Sequence, residues 1–376
     1  MKENPRKLYI AKPYIDDLIC QDVISVLKSG NIVQGPKVKQ LEEEFSKFSQ
    51  VMYCAAVNSG TAALHSALFA IGIGPGDEVI TTPFTFVATA NSILMAGATP
   101  VFADVDEKTF NIDPKEIEKK ITSKTKAIIP VHLFGQPAEM DKISDLAEHY
   151  NLKIVEDACQ AHGAYYKNKR VGGLGDIAAF SLYATKNMMA GEGGLVTSNN
   201  EEYIERVKSF RHHGQSLNEG YNYISFGYNY RMTDINAVIG INQLKKLEEF
   251  NNIRNRNALL YNEALKEIKG IEIPFKGDNC SHVYHQYTIK IDSKKFGHSR
   301  ADLVNELNRN DIFPGIFYPK SLHLFPTFKE FGYKENDFPV SESVSNLVLS
   351  LPVHPGISEN DIQKVINVIS RFSKQS

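Results

Sequence analysis

Ile143-Ser144-Asp145-Leu146-Ala147-Glu148-His149-Tyr150-Asn151-Leu152-Lys153-Ile154-Val155-Glu156-Asp157 is the stretch on which the fold turns. Ile143, Leu146, Ala147 and Tyr150 fall at i, i+3, i+4 and i+7, which is one face of a helix. Leu152–Asp157 is a short apolar run closed by two acids and reads as a strand. A helix feeding directly into a strand is the repeating unit of a mostly parallel sheet covered by helices. The same alternation extends outward over about residues 50–200. Candidate strands are Glu78–Thr81, Thr99–Val105, Ala127–Leu133, Asp176–Leu182 and Gly194–Ser198, and Leu64, Ala67, Leu68 and Ile71 repeat the helical spacing. Such sheets bind ligands beyond the carboxyl ends of their strands, and Asp157 and Ser181 lie at or near two of those ends.

The remaining chain reads differently. Ile235–Leu265 is one long charged helical stretch that joins two domains. Beyond it, His282–Ile291 alternates like a strand, and Arg300–Asn308 and Asn360–Phe372 are amphipathic helices. Phe313–Pro326 is rich in proline and aromatics. The expected architecture is α/β, with a large domain over residues 1–245 and a smaller α+β domain over residues 246–376. A helix following Pro36 should pack back on the large domain.

At 376 residues the chain is too long for one small core. A formal net charge of -2 offers no general attraction to nucleic acid or to an anionic membrane. Met1–Lys7 has no apolar core behind it, so it does not read as a signal peptide, and no apolar run is long enough to span a bilayer. Cys20, Cys54, Cys159 and Cys280 are scattered without a CxxC pair. That spacing argues against a disulfide scaffold and a cysteine zinc site, and favours a reducing cytoplasm.

Chemistry concentrates in three places. Asn58-Ser59-Gly60-Thr61-Ala62-Ala63 follows an apolar run and opens a helix. Free N–H groups at a helix start suit a phosphate, although Ser and Thr cap many helices without a ligand. Asp157 ends one strand; its neighbour Glu156 must point to the opposite face, so one of the two acids can enter a given site, and Asp157 is the candidate. Lys186 lies 29 positions after Asp157, just beyond the apolar strand Ile177–Phe180. A lysine so close to a buried strand loses solvation, which lowers its pKa and frees the amine as nucleophile and proton carrier. A carboxylate and a lysine so placed are what pyridoxal phosphate (PLP) requires. The lysine forms a Schiff base with the aldehyde, and the carboxylate keeps the pyridine nitrogen protonated so that the ring accepts electrons.

Five segments in order extend this reading. They are Asn58–His65, Pro83-Phe84-Thr85-Phe86, Glu156–Gly163, Phe180–Asn187 and Asn229-Tyr230-Arg231-Met232-Thr233-Asp234. Together they resemble the DegT/DnrJ/EryC1/StrS family of PLP-dependent sugar aminotransferases, from Gly30-Asn31 to Leu351-Pro352-Val353-His354-Pro355. The resemblance implies a type I aminotransferase fold. It implies that Lys186 forms the Schiff base, that Asp157 partners the pyridine nitrogen, and that Gly60, Thr61 and Ser181 seat the phosphate. Phe86 would stack on one face of the ring, with Gln160 on the other. Asn229 would reach the cofactor of a second copy, implying a homodimer with shared active sites. Cys159 stands where many relatives carry alanine, and Ala184 where many carry proline; neither change removes a functional group. One branch of the family replaces the lysine by histidine and dehydrates; Lys186 argues for transamination.

The substrates implied are a nucleotide-linked ketosugar and an amino acid donor such as glutamate. His282–Tyr287 and Tyr318–His323 resemble members that aminate C3 more than C4. Arg231, Tyr318 and His323 are candidate substrate contacts; Arg231 suits either the donor carboxylate or the diphosphate. Arg211-His212-His213-Gly214 lacks metal-ligand spacing, so no metal is expected, and His282 and His285 would fall on opposite faces of a strand. Two rivals remain at this level. One is another PLP reaction on the same fold, a lyase or transamination of an inosose. The other is a non-catalytic ligand sensor, for which an electron sink would serve no purpose.

Overall fold

A computed structural model describes residues 6–375; Met1–Pro5 of the N-terminal stretch lie outside them. The central sheet has seven strands in the spatial order Tyr53–Val57, Gly194–Ser198, Ile177–Ser181, Lys153–Asp157, Thr125–Ile128, Glu78–Thr81 and Thr99–Phe102. All pairings are parallel except those of Gly194–Ser198, which runs against both neighbours. Helices cover the sheet, giving the type I aminotransferase architecture. The opening stretch folds as read: Met140–Tyr150 is helical, ends on Asn151 in a left-handed conformation, and passes into Lys153–Asp157.

Register brings the chemistry to one edge. Gly194 lies opposite both Val57 and Ser181, and Ala179 lies opposite Asp157. The carboxyl ends of three strands therefore open on the same rim, and Asn58–Thr61 begins there. Glu156 faces the other way, as strand alternation requires. Its carboxylate is fully buried and accepts from the amides of Gly172, Leu174 and Gly175 at 2.7–2.9 Å. The glycine-rich turn is thus wrapped around an acid. Gly172 has φ +107°, and a Cβ there would meet the Phe180 ring at 2.7 Å, so both the conformation and the space call for glycine.

The long helix is Asp234–Leu265 and runs unbroken through residue 245. Its first half contributes Ala237, Ile241, Leu244 and Leu247 to the core under the large sheet; its second half contributes Ala258, Tyr261 and Leu265 to a second core. That second core includes an antiparallel sheet of Ile271–Glu272, Tyr287–Ile291 and Val348–Leu351. Asp234 fixes the entry of the helix after Pro36, Pro36–Ser49, by accepting from the amides of Gly35, Lys37 and Val38. A further helix, Asp17–Ser29, was not anticipated from sequence.

Three sequence expectations need correction. The strand expected over Thr99–Val105 ends at Phe102. The strand expected over Ala127–Leu133 stops at Ile128, two residues before Pro130, which has no N–H for a ladder. The strand expected over His282–Ile291 begins at Tyr287. Before it, Val283 and Gln286 donate to the carbonyls of Gly135 and Phe134, so the segment is held by a loop of the other core rather than by a sheet. Among the described residues no helix is long and apolar enough to cross a membrane, and the four cysteines are free.

Candidate active site

The rim carries a cavity of about 580 Å3. Gly60, Thr61, Phe86, Asp157, Gln160, Ser181, Lys186 and Tyr318 all line it. Segments separated by as many as 258 positions therefore converge on one space.

Asp157 is 5% exposed, and its carboxylate accepts from the Thr89 hydroxyl at 2.7 Å and from the Cys159 amide at 3.2 Å. Among the described residues no cation pairs with it within salt-bridge distance. A buried carboxylate in this position can receive a protonated ring nitrogen. Thr89, itself joined to Thr85, orients it and was not found from sequence. Nothing local singles out a threonine on an apolar helix.

The helix Gly60–Ala70 begins at the same rim, with Ser59 as N-cap accepting from the Ala62 amide. The Gly60 and Thr61 amides make no hydrogen bond among the described residues and lie at the positive end of the helix. A Cβ at Gly60 would sit 2.7 Å from Ser181 Cβ. Glycine lets the helix start and the Ser181 strand end approach closely enough to form a single phosphate-sized cradle. The residues present fit PLP: a phosphate cradle, an exposed aromatic at Phe86, a buried acceptor at Asp157, and an amine.

Lys186 follows Ser181 through a turn in which its amide donates to Tyr183. Burial lowers its pKa from the ordinary lysine value, while the Asp157 charge opposes that shift. Gln160 is fixed at both ends: its oxygen accepts from the Phe134 amide at 2.9 Å and its nitrogen donates to the Tyr318 hydroxyl at 3.1 Å. Burial drives the Tyr318 phenol above its usual range, so it remains protonated.

His285 also lines the cavity, a correction to its expected place on a strand face. Asn187 donates from Nδ2 to the Val283 carbonyl and to Asn251, so its Oδ1 must accept from His285 Nδ1 at 3.2 Å. Burial holds the imidazole well below its ordinary pKa. The ring is therefore neutral, with the proton on Nδ1 and a lone pair on Nε2.

Three predicted residues lie outside the cavity. His323 is buried against Phe338 and pairs with Glu342 at 3.0 Å. Those contacts occupy the ring, and it does not line the cavity. Arg231 is 2.7 Å from His212 Nδ1, beside Val57. Asn229 is exposed, and its carbonyl accepts from the Asn58 side chain. No metal-ligating cluster occurs among the described residues.

Comparisons with known proteins bear on the fold and the family. A sequence model described as the DegT/DnrJ/EryC1/StrS aminotransferase family matches residues 13–370. The spore coat polysaccharide biosynthesis protein SpsC of Bacillus subtilis is 41% identical, with 96% of each chain covered. GDP-perosamine synthase of Caulobacter vibrioides is 35% identical over 99% of each. The structure of S. venezuelae DesV superposes with a TM-score of 0.92 at 33% identity, covering 99% of this chain and all of that one.

Proposed function

We propose that this chain, which belongs to the DegT/DnrJ/EryC1/StrS aminotransferase family, aminates a nucleotide-linked ketosugar with an amino group taken from an amino acid, glutamate by preference. Family membership and the named relatives support PLP-dependent sugar transamination; the nucleotide, the donor and the ring position are the proposal. The observation that carries it is the meeting of Asp157, Lys186 and the Gly60–Thr61 turn at one cavity.

PLP, when bound, supplies an aldehyde that captures amines and a ring that accepts the electrons released at Cα. The chain does the rest. Asp157, oriented by Thr89 and the Cys159 amide, holds a proton on the ring nitrogen. The free amides of Gly60 and Thr61 and the Ser181 hydroxyl bind the phosphate, and Phe86 and Gln160 bound the ring. Lys186 would hold the aldehyde and, as a free amine, move the proton from donor Cα; its lowered pKa leaves a larger neutral fraction for that task. Glutamate gives up its amino group and leaves as a keto acid; the ketosugar then takes the amine and leaves as an aminosugar.

The ketone is assigned to C3 rather than C4, a reading supported by the sequence stretches that place His285, Gln286 and Tyr318 on the cavity wall. We assign a homodimer with Asn229 reaching the partner's cofactor. Support comes from the apolar surface beside it, where Tyr221, Ile224 and Phe226 are 88%, 66% and 67% exposed. The test is spectroscopic. The purified protein should be yellow, lose its visible band with glutamate, and regain it with a nucleotide 3-ketosugar. A band unmoved by every amino acid sinks the reading.

A further inference from the structure

Three buried arginines each leave Nε without a hydrogen-bond partner: Arg170, Arg211 and Arg254. Two of them have their anion. Arg170 pairs with Glu248 at 2.6 Å and Arg211 with Glu42 at 2.5 Å. Arg254 has none among the described residues. It is 4% exposed, and its Nη1 donates to the backbone carbonyls of Tyr284 and His285 at 3.1 and 3.3 Å. Those two bonds pin the guanidinium; among the described residues Nε, itself shut off from solvent, and Nη2 have no hydrogen-bond partner. Burial lowers its pKa to about 9, with no acidic neighbour acting against the shift, so it is a cation at neutral pH.

A buried guanidinium whose donors are unmet is costly unless an anion approaches it. A guanidinium N–H donates a charge-assisted hydrogen bond to a carboxylate, and Nη2 is the donor left for one here. The surroundings allow such a ligand. Arg254 lines a second cavity of about 200 Å3, to which Lys12 and Lys186 also contribute and no Asp or Glu does. Ala11, Thr185 and Lys186 line both this cavity and the larger one. A molecule anchored here therefore lies alongside the amine that must be displaced, on a flank separate from the Asp157 and Phe86 walls.

We propose that Arg254 receives a carboxylate of the amino donor, making the smaller cavity the subsite for a dicarboxylic amino acid and its keto acid. This rests on the transaminase reading above. It assigns the donor to Arg254 and leaves Arg231, which meets His212 beside Val57, to other work.

The probe is glutarate, a dicarboxylate without an amine. Calorimetry with wild-type protein, both PLP-loaded and cofactor-free, should show binding, and glutarate should compete with glutamate but not with the nucleotide sugar. Arg254→Gln should weaken glutarate by roughly ten- to a hundredfold, the range for a hydrogen-bonded charge pair. It should raise KM for glutamate in step while leaving KM for the nucleotide sugar unchanged. Arg254→Lys should recover part of the loss. Unchanged glutarate affinity in a folded Arg254→Gln protein overturns the assignment, as does a change confined to the nucleotide sugar. Should the variant not fold, a crystal of wild-type protein with glutarate decides. A carboxylate on Arg254 supports the subsite; one seated on Arg231, or no glutarate at all, overturns it. Failure of the broader reading looks different, because wild-type protein would then keep its visible band in glutamate whatever Arg254 does.

Discussion

The two walls of the cavity are built by different means. One wall is the rim of the parallel sheet, where Gly60, Asp157, Ser181 and Lys186 each follow directly from a strand end. The other is assembled from His285, Gln286, Phe317 and Tyr318, which arrive from irregular segments after the long helix. On the first wall, position along the chain fixes position in space, because register aligns the strand ends. On the second, placement depends on bonds between distant loops: Val283 to Gly135, Gln286 to Phe134, Gln160 to Tyr318. On the proposed function, cofactor chemistry falls on the first wall, made rigid by strand register, and substrate selection on the second, made adaptable by its loops.

That division can be broken experimentally. The largest effect should come from Lys186→Ala, which removes amine and proton carrier together. Loss of proton transfer alone costs on the order of 10²–10⁴-fold in rate, and reversible, glutamate-sensitive yellow colour should vanish. A variant that keeps turning over would dissolve the distinction between the walls.

Acid should act next, through buried histidines outside the cavity lining. Burial holds His162 and His282 at about 3, and His65 and His354 at about 4, against an ordinary value of 6.5. These rings stay neutral in the folded chain and take up protons when it unfolds. Their contribution to stability is therefore complete above about pH 6.5 and declines as pH falls toward 4 and then 3. Denaturant midpoints measured at pH 7.5 and 5 should differ clearly; equal midpoints would contradict the burial of these rings.

Gly60→Ala tests the rigid wall more gently. Its new Cβ would sit 2.7 Å from Ser181 Cβ, an overlap that costs about 1–3 kcal/mol. Cofactor affinity should fall more than thermal stability, measured by dialysis against PLP and by thermal melts. Equal losses would mean that the cradle is only a packing contact.

Tyr318→Phe is the smallest step and belongs to the adaptable wall. Deleting one hydroxyl leaves the Gln160 amide unpaired, a loss of about 1 kcal/mol or roughly fivefold. It should appear in KM for the nucleotide sugar, with the visible band unmoved. A shifted band would instead place Tyr318 with the cofactor group.

Particular residues show where sequence reading succeeded and where it failed. Asp157 and Glu156 could be assigned to opposite faces because strand alternation is a local rule, and the structure keeps them apart as expected. The helix Asp234–Leu265 was legible from its length and apolar spacing. His285 was not, since the alternation over His282–Ile291 resembles a strand, while the strand begins only at Tyr287 and Val283 and Gln286 bond to another loop. His323, a candidate because its region resembles the family's sugar site, does not line the cavity and pairs with Glu342. Thr89 and Arg254 carry no local signature at all.

By itself the sequence determined the alternation of strands and helices, the order of the motifs, and which residue stands at each strand end, because these depend on periodicity and side chains a few positions apart. Tertiary structure alone decided which side chains share a cavity across some 260 positions. It alone tied His285 to Asn187 in one tautomer and, among the described residues, left one buried arginine of three without a carboxylate. Burial and pairing are properties of the packed chain: desolvation has no value until distant segments exclude water together.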